Sequence, residues 1–118
     1  MDTNNFESNL ALSKAIQIME VFRELDPTMP IAEAMSFLLL AGEDENVTLQ
    51  HVADQLEFSL STASRHVQAL GKLDRNNLPG LELLIDPVDG SNRRRKIRLL
   101  TSKGRKVVAK LGEILKST

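Results

Sequence analysis

The first quarter of the chain carries apolar residues at helical spacing. One stripe follows the i, i+3, i+4, i+7 rule and a second lies beside it. The first stripe comprises Leu12, Ala15, Ile16, Met19 and Phe22, and the second comprises Ile18, Val21 and Leu25. The pattern predicts a helix over residues 10–25 that ends before Pro27, because the residue preceding a proline is driven out of helical geometry.

A second helix is predicted over residues 31–42. Pro30 suits its first turn and Gly42 suits its C-terminal stop. Nearly every position of this segment is apolar or small, so we expect the helix to be buried nearly all round. The polar stretch 43–46 then links it to the next element.

Two short helices joined by a tight turn are predicted over residues 48–73. Thr48 and Ser59 are of the type that caps helix N-termini, and they precede helices over 49–56 and 60–73. This is the arrangement of a helix-turn-helix.

After residue 73 the spacing changes to that of strands. Residues 81–86 and 95–100 are predicted to pair as a hairpin across a polar loop, with Lys96 on its outer, basic face. Thr101 is a good N-cap for a final helix over 102–116, in which apolar residues repeat at three and four.

The predicted fold is mainly α with a small β-hairpin wing, a single winged helix-turn-helix domain over residues 1–118. Its 118 residues, 42% hydrophobic and 26% charged, are typical of one globular domain. The absence of cysteine excludes disulfides and thiolate metal sites. No apolar run is long enough for a bilayer, and Asp2 and Glu7 stand where a signal peptide needs bases. We therefore expect an intracellular, cytoplasmic protein.

The charges are segregated along the chain. Residues 1–57 contain 11 acids and two bases, whereas residues 58–118 contain 13 bases and five acids. Nine of these bases lie between Arg93 and Lys110 with no acid among them. The two halves could simply attract each other, but an acid-free basic run favours an anionic partner.

Three motifs carry a resemblance to a known family. Residues 52–67 (VADQLEFSLSTASRHV) resemble the helix-turn-helix of the MarR family of winged-helix transcription regulators. Residues 86–90 (DPVDG), followed by a basic strand, are similar to that family's wing, and residues 100–105 (LTSKGR) look like the start of its next helix. The likeness spans about residues 10–116. It implies a homodimer that binds double-stranded DNA in the cytoplasm of a bacterial, archaeal or phage-infected cell.

The predicted DNA contacts lie in two places. A recognition helix presents its N-terminal residues to base edges, where short hydroxyls permit close approach and arginine reaches further. A basic hairpin tip can enter a minor groove or grip phosphates. The helix candidates are Ser59, Ser61, Thr62, Ser64, Arg65 and His66, and the wing candidates are Arg93, Arg94, Arg95, Lys96 and Arg98. Ser59 and Ser61 could instead serve only to cap the helix. The resemblance further implies that Asp89 positions Arg93 or Arg94.

Three departures from the family pattern bear on this interface. The family usually has glycine where this chain has Glu57, and a positive φ there would strain a glutamate by roughly 1 kcal/mol. Either the turn has a different shape or the carboxylate points away from the phosphates. The linker 76–80 and the wing tip 89–94 are also longer than in many relatives.

Other site chemistries are disfavoured. His51 and His66 lack metal-ligand spacing, and no glycine-rich phosphate loop exists, so we expect neither an enzyme nor a metal or other cofactor. The acidic run Glu43, Asp44 and Glu45 lacks the alternating ligands of a calcium loop and is predicted to be solvated. The bases lack aromatic neighbours, which disfavours membrane and stacked-RNA partners.

The two terminal helices are predicted to form a homodimer. Each carries more apolar surface than one neighbour can cover, and soluble monomers rarely expose so large a patch. The predicted interface residues are Leu12, Ile16, Met19, Phe22, Val108, Leu111 and Leu115.

The sequence thus predicts a sequence-specific regulator, most simply a repressor, acting as a homodimer on a palindromic site. A winged-helix module that binds other proteins and a DNA-binding replication or partition factor are the alternatives. The operator and any small-molecule effector are not predicted.

Overall fold

A computed structural model describes residues 3–42, 47–72, 78–85, 96–97 and 100–117 of the chain. These residues are mainly helical. The elements, in chain order, are α1 (Thr3–Leu25), α2 (Ile31–Gly42), β1 (Val47–Thr48), α3 (Leu49–Leu56), α4 (Leu60–Ala69), β2 (Lys96–Ile97) and α5 (Ser102–Lys116).

The predicted starts of three helices, each at an N-cap residue, are confirmed. The Thr48 hydroxyl accepts a hydrogen bond from the His51 amide at 3.1 Å, and the Ser59 hydroxyl accepts one from the Thr62 amide at 3.1 Å. Thr101 accepts from the Gly104 amide at 2.9 Å and also donates to the carbonyl oxygen of Glu82 at 2.7 Å. Each hydroxyl satisfies an amide that the first helical turn leaves without a partner.

Helix α4 ends earlier than predicted, at Ala69 rather than at residue 73. The reason is that the chain returns and donates its own amides to the last carbonyls of the helix. The Leu81 amide donates to Ala69 at 2.9 Å and the Leu83 amide donates to Leu70 at 2.8 Å. Gly80 permits this approach, since a Cβ there would collide with the carbonyl oxygen of Gly71.

The predicted strand over 81–86 is wrong for the part that is described. Its residues form only one isolated antiparallel bridge, between Leu84 and Leu100. Glu82 takes a left-handed conformation, with φ 56°, which interrupts an extended strand. Because the neighbouring amides are used at the end of α4, they cannot form a regular ladder.

The only regular strand pairing within the described ranges was not predicted. β1 pairs with β2 in antiparallel register, Val47 opposite Ile97 and Thr48 opposite Lys96. The predicted wing loop and half of the second strand, residues 86–95 and 98–99, lie outside the described residues. So does the acidic run at 43–46.

The core lies where α2, α3 and α4 meet. Fully buried side chains from all three helices, and from the segment that returns to α4, form it: Phe37, Leu40, Leu49, Val52, Val67, Leu70, Leu83 and Leu84. α1 joins through Phe22, whose ring meets Phe37 edge to face at 6.0 Å. α1 also packs along α5, which places Val107 and Leu111 in the same core.

One expectation for α2 is wrong. The helix was predicted to be buried nearly all round, but Ile31, Met35 and Leu38 are exposed on one side. Hydropathy alone cannot distinguish a helix covered on every side from one that leaves an apolar stripe open. Among the described helices, none has the length and apolar character needed to cross a bilayer.

Candidate nucleic-acid interface

The turn between α3 and α4 has the shape that glycine usually provides. Glu57 adopts φ 58° and ψ 41°, and its amide donates to the carbonyl of Ala53. The Phe58 amide donates to the same carbonyl at 2.9 Å. A tight turn is therefore kept despite the glutamate, whose left-handed backbone costs about 1 kcal/mol. The Glu57 side chain is exposed.

Three hydroxyls cluster at the N-terminus of α4. Besides capping Thr62, the Ser59 hydroxyl donates to Thr62 Oγ1 at 2.9 Å and lies 3.2 Å from Ser61 Oγ. Ser59 and Ser61 are exposed, and Thr62 is half-buried. Since Ser59 is occupied by its role as the cap, Ser61 and Thr62 have more hydrogen-bonding capacity left for an external ligand.

The outer face of α4 continues from this cluster to Arg65. Arg65 is exposed and one helical turn beyond Ser61. Gln68 is half-buried and lies at i+3 from Arg65, which places it on the same face. Gln68 was not among the predicted contacts, although the spacing of 61, 65 and 68 would have indicated it.

Two residues predicted to contact DNA lie on the inner face instead. Ser64 is 8% exposed and His66 is 6% exposed. His66 stands three residues after the buried Ala63 and one before the buried Val67, so it points into the domain. The predicted DNA contacts on α4 are thereby reduced to Ser59, Ser61, Thr62 and Arg65.

His66 faces an acid that was not predicted as a site residue, Glu33 of α2. Both side chains are less than 10% exposed, and His66 Nδ1 lies 3.7 Å from Glu33 Oε1. Burial, reinforced by Asp26, raises the pKa of Glu33 to about 7. Burial, reinforced by Arg65, lowers the pKa of His66. In the sequence, the signal for this pair is that Glu33 is the one acid in an otherwise apolar helix. If the side of the helix that carries this acid packs inward, the carboxyl group needs a buried partner.

Little of the predicted wing lies among the described residues. Arg93, Arg94, Arg95, Arg98 and Asp89 lie outside them. The backbone of Lys96 is placed, in β2 opposite Thr48, which caps α3. Of the basic run, Lys96 is thus paired with β1, directly before α3. No group of three acidic or histidine side chains within the described ranges could hold a metal ion.

The predicted dimer residues divide into two groups. Leu12, Ile16, Met19 and Leu115 are 56–63% exposed. On α1 the first three line a shallow groove of about 470 Å³ that Glu20 and Arg23 border. Phe22 and Leu111, by contrast, are buried within the chain itself at 4% and 6% exposure, and Val108 is half-buried. The prediction for Phe22 and Leu111 is therefore corrected, since a partner cannot cover side chains that the core already covers.

Comparison with known proteins supports the fold and no more. No known protein family and no curated protein matches the chain by sequence. The crystal structure of RV1404 from Mycobacterium tuberculosis is similar, with a TM-score of 0.57 and 19% identity. The similarity covers 97% of this chain and 74% of that one. At this identity the likeness shows a shared arrangement of elements over nearly the whole chain.

Proposed function

We propose that this protein is a winged-helix transcription regulator that binds double-stranded DNA in a sequence-specific manner. The observation that carries the proposal is the outer face of α4. It follows a tight turn, begins with three clustered hydroxyls and extends to the exposed Arg65, while its inner face is fixed in the core. A helix held in this way can present its N-terminal side chains to a major groove.

The charge distribution supports the same partner. Residues 58–118, which include α4 and the predicted wing, contain 13 bases and five acids. Lys96 begins the described part of the basic strand and is paired beside the N-terminus of α3. A basic segment attached at this position can contact the phosphate backbone on either side of the helix that enters the groove.

The exposed apolar face of α1 supports a homodimer. Leu12, Ile16 and Met19 present adjacent apolar side chains to solvent, and Leu115 of α5 is exposed as well. A second copy related by a two-fold axis would cover them and set two α4 helices about one turn of DNA apart. A dimer on a palindromic site would block transcription most simply by occluding the promoter.

A module that binds other proteins is the second candidate. The exposed stripe Ile31, Met35 and Leu38 on α2 favours it, because it adds apolar surface outside the predicted dimer face. A replication or partition factor would share the DNA-binding step.

Selection of bound sites from a pool of random duplex DNA tests the proposal. We expect one enriched palindrome, bound with an affinity that falls steeply with salt. Replacement of Arg93, Arg94 and Arg95 by alanine should reduce the slope of log affinity against log salt by about 0.9 for each phosphate that the protein no longer neutralises. Failure to bind any duplex at low salt would reject this function in favour of the protein-interaction module.

A further inference from the structure

The side chains of Glu33 and His66 meet where α2 packs behind α4. Glu33 stands in the first turn of α2, and His66 stands directly after Arg65 in α4. Their nearest side-chain atoms are 3.7 Å apart, beyond a good hydrogen bond but close enough to interact electrostatically. Both side chains are buried, so water screens this interaction weakly.

Among the described residues, three neighbours from different parts of the fold surround the pair. After α1, Asp26 adds negative charge near Glu33, while its own carboxylate accepts hydrogen bonds from the Thr28 amide and hydroxyl. From α4, Arg65 adds positive charge near His66. The α3–α4 turn contributes the neutral ring of Phe58, 5.9 Å from the imidazole ring.

The number of protons on the pair decides its net charge. With one proton, it is either two neutral groups or an ion pair, and no net charge is buried. With none, a buried carboxylate faces a neutral imidazole, and with two, a buried imidazolium faces a neutral carboxyl. Burial of an uncompensated charge is costly in both cases.

We propose that Glu33 and His66 form a proton-dependent brace that holds α4 against α2 when the pair carries one proton and loosens when it carries none or two. In this role His66 is a positioning residue that acts on Arg65 through the helix. The effect on DNA rests on the proposed function, whereas the effect on α4 does not.

The pKa shifts of the two groups give the direction of the pH dependence. The pKa of Glu33 is raised from 4.5 to about 7, so its stabilising contribution is complete below 4.5 and is lost as the pH rises through about 7. The pKa of His66 is lowered, so its contribution is present above 6.5 and is lost as the pH falls through the lowered value. The brace is therefore best formed slightly below neutral pH and loosens on the alkaline side.

Nuclear magnetic resonance of the whole chain tests the brace without DNA. In the wild type we expect the amide signals of α4 and the carboxyl carbon of Glu33 to shift with a common midpoint near pH 7. Glu33→Gln should abolish this step, whereas Glu113→Gln, which changes an exposed carboxylate of α5, should retain it. An α4 that does not respond, or a step that persists in Glu33→Gln, would overturn the proposal. If Glu33→Gln does not fold, unequal midpoints for Glu33 and α4 in the wild type would overturn it equally.

Fluorescence anisotropy at constant ionic strength tests the consequence for DNA, with a mixed-sequence duplex of about three helical turns as the probe. We expect wild-type affinity to fall by about fivefold or more as the pH rises past neutrality, and Glu33→Gln to show no such fall. Equal pH profiles for the two proteins would overturn the link from the brace to DNA binding. An α4 step near pH 7 with no binding at any pH would support the brace and reject the proposed function.

Discussion

The α3–α4 pair and the α1–α5 pair each bury an inner face in the core but differ in what they show to solvent. The outer face of α4 presents hydroxyls and Arg65, whereas the outer face of α1 presents Leu12, Ile16 and Met19. A polar outer face can remain in water or take a charged ligand, whereas adjacent exposed apolar side chains are typical of a surface that a partner covers. The two pairs thus present different chemistry to a partner, and variants of single residues can show what each face contributes.

The largest effect is expected for Leu111, on the inner face of α5. Leu111→Ala should lower the free energy of unfolding by about 2–5 kcal/mol, because it leaves a cavity in the core. Leu115→Ala, on the exposed side of the same helix, is the matched control and should leave the stability of the monomer nearly unchanged. Urea denaturation of both variants at low protein concentration measures the difference. Equal losses would show that Leu115 is also part of the core.

Ile16 should matter for assembly rather than for folding. A two-fold interface contains the residue twice, so Ile16→Asp should weaken the dimer by about 3 kcal/mol, or roughly a hundredfold in dissociation constant. Sedimentation equilibrium measures that constant. Ile31→Asp changes an equally exposed isoleucine on α2 and should not alter it. If Ile31→Asp dissociates the protein and Ile16→Asp does not, the dimer forms through α2 instead.

Arg65 should determine site choice on the outer face of α4. Arg65→Ala should cost about 1–3 kcal/mol on the selected site and less on random duplex, if the side chain contacts a base. Arg23→Ala removes an exposed arginine from α1, paired only with Glu20 among the described residues, and serves as the control. Anisotropy titrations on both duplexes measure the two losses. Equal losses would assign Arg65 to the phosphate backbone.

The smallest effect is expected at Glu57, in the turn that joins α3 and α4. Glu57→Gly should raise the free energy of unfolding by up to about 1 kcal/mol, because glycine adopts the observed φ of 58° without strain. The gain is limited by the greater freedom of glycine in the unfolded chain. Thermal denaturation measures it. A loss of stability would mean that the Glu57 side chain makes a favourable contact of its own.

Local signals in the sequence predicted five helices and the starts of three of them, but the first helix, predicted from residue 10, begins at Thr3. The caps at Thr48, Ser59 and Thr101 fix where three helices begin. At each of these positions the hydroxyl accepts a hydrogen bond from a backbone amide of the first turn that has no partner within the helix. The end of α4 was not predictable in this way, since it depends on amides of residues 80–84 that arrive from a distant part of the chain. The same is true of the pairing between β1 and β2, which joins segments almost fifty residues apart.

The candidate site was predicted only in outline. Helical spacing placed Arg65 and the hydroxyls correctly near the start of α4, but it did not distinguish the exposed Ser61 from the buried Ser64. His66 was predicted on the outer face although it is buried, because a histidine is compatible with either a buried or an exposed position. Its partner Glu33 is 33 residues away along the chain, so no local pattern indicates the pair. Which polar residues face inward depends on how α2 crosses α4, and no local pattern specifies that crossing.

The hydrogen bond from the Gly80 amide to the carbonyl of Lys72, 2.9 Å long, closes the base of the connection that follows α4. Both ends of this connection are therefore held next to the end of the helix, at Gly71 and Lys72 on one side and at Gly80 and Leu81 on the other. Doubling the length of a closed loop costs only about 0.6 kcal/mol. A few extra residues in this connection should therefore cost well under ~1 kcal/mol in loop closure, and thermal denaturation of such a variant would show whether the bond between Gly80 and Lys72 still holds the two ends together.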